Sequence, residues 1–127
     1  MTALTLDLPL PPSVNALYRN APGRGRVKTG AYNAWLEEAG WAAVTRWRAA
    51  GRPSFAAPLA LTIELGLSGR RRDAGNTLKP IEDLLVKRIP QLPDDRHNDL
   101  ITIRRGADVP AGIARVTITS LPGEPPG

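Results

Sequence analysis

At 127 residues, with 42% hydrophobic and 23% charged residues, the chain is long enough for one domain with its own core and too short for two. The absence of cysteine excludes thiol catalysis, disulfides and cysteine-ligated zinc, and the single His97 argues against a histidine metal triad. A formal charge of +5 favours a polyanionic partner.

Lys28, Lys79 and Lys87 are the only lysines, which leaves 14 of the 17 basic residues as arginine. Arginine's planar fork suits phosphate, although a codon bias towards Arg, Ala, Gly and Pro gives the same skew. Met1 to Leu10 lacks a basic start and is broken by Pro9, so no signal peptide is expected. No apolar run approaches a membrane span either, and a cytoplasmic protein with no membrane partner is expected.

In chain order, Ala3 to Leu8 alternates Leu4, Leu6 and Leu8 with Thr5 and Asp7, the period of a half-buried strand. Prolines 9, 11 and 12 stop it, and Ser13 to Gly30 reads as a long loop. That loop carries Asn15, Tyr18, Arg19, Arg24, Arg26 and Lys28 with no acid among them, which suits a clamp on nucleic acid or a merely solvated loop. A helix is expected from about Thr29 to Ala50, with Tyr32, Trp35, Leu36, Ala39, Ala42, Ala43 and Trp47 on one face and Gly51 at its end. Its tryptophans read as core or dimer-interface packing rather than base-stacking platforms.

Leu59 to Leu67 alternates as a long strand with Glu64 on the opposite face. Pro80 fits only a helix's first turn, so a second helix begins near Asn76 or Thr77, either of which is able to cap it. Leu78, Ile81, Leu84 and Leu85 face inward, while Asn76, Lys79 and Asp83 form a polar stripe. Short strands are expected at Leu100 or Ile101 to Arg104 and at Ile113 to Thr119, before a Pro/Gly-rich tail at 122–127. The expected fold is therefore α+β, a small mixed sheet of about four strands with two main helices, in one domain over residues 1–121.

Between the central strand and the second helix lies Arg70-Arg71-Arg72-Asp73-Ala74-Gly75-Asn76-Thr77-Leu78-Lys79, followed by Asp83 and Asp94-Asp95. Carboxylates are the hard ligands Mg²⁺ takes, one or two at a time with substrate phosphate, and arginines attract the nucleic-acid backbone. The same residues also fit a basic surface loop with solvated carboxylates, and Lys79 with Asp83 fits a plain i,i+4 ion pair.

These residues resemble the RusA family of Holliday junction resolvases, small homodimeric endonucleases. The family pattern is a basic run, Asp-x-Asp-Asn, a lysine three residues on, an aspartate four beyond it and an Asp-Asp pair after a short loop. It falls here on Arg70 to Arg72, Asp73, Asn76, Lys79, Asp83 and Asp94-Asp95. Pro11-Pro12-Ser13-Val14-Asn15 with Tyr18-Arg19 is similar to the family's opening segment, so the likeness spans nearly the whole chain. It implies Mg-dependent cleavage of four-way branched DNA in recombination and repair, with Mn²⁺ as a substitute metal and no nucleotide cofactor.

The resemblance further implies Asp73 and Asp95 as metal ligands and Lys79 as a catalytic cation. Arg70, Arg71, Arg72, Arg19, Arg24, Arg26, Lys28, Asn15 and Tyr18 become DNA contacts. Gly75 stands where the family has its second aspartate, so Asp83, Asp94, Glu64 or Asn76 are candidate replacement ligands. The alternative is a protein that binds branched DNA without cutting it.

Overall fold

In the computed structural model, residues 3–13, 16–66, 77–89, 92 and 98–121 are described. Alternation builds the main sheet. In β1 (Ala3–Pro9), β4 (Leu59–Leu65) and β6 (Ile113–Ser120), every second residue points into the core, and Leu6, Leu8, Ile63, Leu65 and Val116 are fully enclosed. With β5 (Asn98–Arg105) they form a sheet in the order β1-β6-β4-β5. The β1–β6 and β6–β4 pairs are antiparallel, whereas β4 and β5 are parallel and joined through helix α2 (Leu78–Arg88). The fold is thus mixed α+β in one small domain.

One expectation is corrected here. Residues 13–30 are not one long loop: β2 (Tyr18–Ala21) and β3 (Gly25–Lys28) pair as an antiparallel hairpin. Gly23 and Gly25 have φ of +71° and +70°, the left-handed geometry a tight turn requires, and the Arg24 amide donates to the Ala21 carbonyl at 3.0 Å. Gly23 and Gly25 thus encode a turn. The arginine-rich arms lack apolar alternation and hid the strands.

Helix α1 (Gly30–Ala49) starts where Thr29 accepts a capping hydrogen bond from the Tyr32 amide at 3.2 Å, and Gly51 at φ +92° ends it. Trp35 and Trp47 are buried, and their indoles donate to the carbonyls of Pro9 at 2.7 Å and Pro53 at 2.9 Å. These bonds satisfy the one polar atom each ring carries inward. Trp41, by contrast, is 61% exposed and donates to Glu37.

In α2, Ile81, Leu84 and Leu85 are buried and Leu78 half-buried, with Pro80 inside the first turn as its missing donor requires. The cap expected of Thr77 is not made. Its backbone is already helical and its side chain, only 4% exposed, makes no capping bond. Neither helix is long and apolar enough to cross a membrane.

Candidate functional site

The hairpin projects four cations, Arg19, Arg24, Arg26 and Lys28, all exposed, with no acid between Asp7 and Glu37. Its root is fixed. The Thr29 hydroxyl donates to the Ala16 carbonyl, and the Thr29 amide donates to that of Leu17 at 3.0 Å. Tyr18 packs edge-on against Tyr32, ring centroids 5.6 Å apart, and the Arg26 guanidinium lies 4.4 Å over the Tyr18 ring. Arg26 thus covers one face of Tyr18, and Arg19, Arg24 and Lys28 are the hairpin's other exposed cations.

Tyr32 packs at the root of this hairpin. Burial pushes its hydroxyl up to about 12, the Tyr18 hydroxyl and the Asp83 carboxylate add to the rise, and Lys79 opposes it. Asp83 and Lys79 thus act on the hairpin root electrostatically. They are themselves an ion pair, Lys79 Nζ to Asp83 Oδ1 at 3.0 Å, with the lysine side chain 72% exposed and the aspartate 33%. An exposed i,i+4 pair contributes only a few tenths of a kcal/mol, about 0.3–0.5. Its effect is orientation: the ammonium is held against Asp83 at the start of α2.

Glu64 is placed elsewhere. It stands on the face of β4 opposite the buried leucines, while α2 packs over Leu59 and Leu61 on the other face. Strand register sets Asp7 beside Arg115, Arg115 beside Glu64 and Glu64 beside Arg104. Arg115 grips both oxygens of Asp7 at 2.9 and 3.1 Å, and Arg104 reaches Glu64 at 3.2 Å. The Arg115 hydrogen bond holds the Asp7 carboxyl below its usual range of about 3.8. Glu64 is thereby one rung in a charge ladder across the open sheet face and is not gathered with Asp83.

Asn15, Arg70, Arg71, Arg72, Asp73, Gly75, Asn76, Asp94, Asp95 and His97 lie outside the described residues, as does the tail at 122–127. Among the described residues no three of Asp, Glu and His come together as a metal site. Two features escaped sequence reasoning. Tyr32 was legible only as a core residue of α1, and its packing against Tyr18 of the hairpin left no local signal. The Asp7–Arg115 pair spans 108 positions, and only the strand register reveals it.

Compared with known proteins, the chain matches no protein-family model and no curated relative.

Proposed function

We propose that this chain is a structure-selective endonuclease of the RusA type, acting on four-way branched DNA. The observation that carries the reading is the Lys79–Asp83 ion pair at 3.0 Å on the helix that follows the Arg70–Asp73 segment in sequence, in a chain that also presents an exposed basic hairpin. An exposed ammonium on α2 and four exposed cations on the hairpin suit a phosphodiester backbone, and such contacts position DNA without reading bases.

In this reading Arg19, Arg24, Arg26 and Lys28 hold one arm of the junction, and Arg70, Arg71 and Arg72 hold the strand to be cut. Lys79, oriented by Asp83, offsets the charge that grows on the phosphate during attack. Asp73 and Asp95 would hold Mg²⁺, which when bound supplies acidity to a water and neutralises the phosphate. Within the described residues Asp83 is engaged by Lys79 and Glu64 by Arg104, so neither offers a free carboxylate to replace the one missing at Gly75. Two symmetric cuts in a two-fold junction call for a two-fold dimer.

Gly75 favours a second reading, a junction binder without cleavage. One experiment separates the two: nicking of a labelled four-way junction across Mg²⁺ and Mn²⁺ titrations, with Asp95→Asn and Lys79→Ala alongside. Symmetric cuts that disappear in Asp95→Asn and weaken in Lys79→Ala sustain the nuclease. Salt-sensitive binding with no cut at any metal concentration overturns it in favour of the binder.

A further inference from the structure

Of the chain's three tryptophans, Trp41 is the one turned to water: 61% of it is exposed, against 5% for Trp35 and 6% for Trp47. An indole left in water forgoes the burial that the other two gain, so a ligand that covers it gains that burial. Its orientation is fixed all the same. The indole donates to Glu37 Oε1 at 3.0 Å, and the other oxygen of Glu37 lies 3.8 Å from the Arg88 guanidinium.

Trp41 lines a cleft of about 340 Å³ between the two helices, near the small end of the range of ligand pockets. α1 also supplies Gly40, Val44 and Arg48, and α2 supplies Lys87 and Arg88. A Cβ on Gly40 would lie 2.8 Å from Arg88 Nε, so the bare backbone there admits the arginine against α1. Val44 is half-buried, whereas Arg48 and Lys87 are exposed, and among the described residues no acid pairs with either cation. Arg48, Lys87 and Arg88 stand near the C-terminal ends of their helices, where cations offset the helix dipole. That role needs no exposed indole beside them.

We propose that this cleft binds an acidic peptide carrying one apolar side chain, which seats on Trp41 and Val44 while its carboxylates meet Arg48, Lys87 and Arg88. Charge selects such a ligand, because three cations stand at the cleft against one neighbouring acid, Glu37. Arginine takes a carboxylate through two parallel hydrogen bonds, and tryptophan and arginine carry most of the binding energy at protein interfaces. A nucleic-acid strand is anionic too, but the charge order along both helices disfavours it. On α1, Glu37 and Glu38 lie between the hairpin end of the helix and Trp41; on α2, Glu82 and Asp83 lie between Lys79 and Lys87. A strand running from the hairpin or Lys79 along either helix to the cleft would carry its phosphates past these carboxylates, whereas a short peptide meets the cations alone. The inference stands apart from the nuclease reading, since it needs neither DNA nor metal.

The test is fluorescence anisotropy of a fluorescein-labelled peptide, Asp-Glu-Asp-Phe-Asp-Glu-Asp, titrated with the purified chain at low salt. Expected is saturable binding in the micromolar range, weakened about tenfold by Trp41→Ala, by Lys87→Ala and by replacing the peptide's Phe with Ala. Trp41 and Lys87 are exposed, so both variants should retain the circular dichroism of the wild type. Arg105→Ala, on β5 and outside the cleft, removes the same charge and should leave binding within about twofold, which separates the cleft from the net charge of the chain. Absence of saturable binding up to millimolar protein overturns the proposal. So do equal losses in Arg105→Ala and Lys87→Ala, or binding that Trp41→Ala leaves intact. Unlabelled oligothymidylate of equal charge that displaces the peptide, and binds with the same dependence on Trp41, overturns it in favour of a nucleic-acid site.

Discussion

Gly66, the last described residue before the Arg70–Asp73 segment, is a position where one methyl group should strongly destabilise the fold. A Cβ built there would lie 1.8 Å from the Pro110 carbonyl oxygen and 2.6 Å from its carbon, both backbone atoms with no rotamer to escape into. Accommodating it moves that carbonyl by roughly 1.2 Å. The turn it belongs to is tied down by Gly66 N to Ile113 O at 2.8 Å, Gly112 N to Gly66 O at 2.9 Å and Ile113 N to Pro110 O at 3.2 Å. Two such bonds at about 1 kcal/mol each, with about 1–3 kcal/mol of overpacking, give about 3–5 kcal/mol for Gly66→Ala. That is a large share of a total stability of about 5–15 kcal/mol. In urea, with a slope of about 2 kcal/mol per molar, the midpoint should fall by about 2 M. Gly30→Ala is the internal control. Its Cβ meets open space at the start of α1, so a gain of about 0.5 kcal/mol is expected. Midpoints for the two variants that lie together would refute the reasoning, because the turn would then yield at no cost.

Two tryptophans separate in the same assay: Trp47→Ala, at 6% exposure, should cost about 3–5 kcal/mol, whereas Trp41→Ala, at 61%, should cost under about 1 kcal/mol. For Asp7 the folded carboxyl sits lower than the unfolded one, so its contribution is complete above about pH 4 and is lost as pH falls through the folded value. Urea midpoints of wild type and Asp7→Asn should therefore differ at neutral pH and converge as the pH falls below about 4. Tyr32 shows the opposite sign. Its hydroxyl is raised from 10.0 to about 12, so its contribution is present below pH 10 and drains away between pH 10 and 12. Tyr32→Phe should flatten the alkaline limb in that window, and phenolate absorbance should report the missing late titration.

The leucine and isoleucine alternations of β1, β4 and β6 were legible because burial on one face writes period two directly into the sequence. Helix α1 was legible for the analogous reason, with Thr29 and Gly51 marking its ends. The hairpin was not, because arms of Arg, Asn and Lys bury almost nothing and the only signal lay in the backbone geometry of Gly23 and Gly25. Of the site, the Lys79–Asp83 pair could be read from its i,i+4 spacing alone. The effect of that pair on Tyr32 at the hairpin root could not, since it acts across some fifty positions of sequence. Nor could the ion pairs that occupy Glu64, which arise from strand order.

Because β4 and β5 run parallel, the chain leaves the sheet towards Asp73 and returns from Asp95 at opposite ends. Gly66 is level with Gly106, whereas Asn98 is level with Leu59, so about seven residues at about 3.3 Å, or about 23 Å, separate the two exits within one chain.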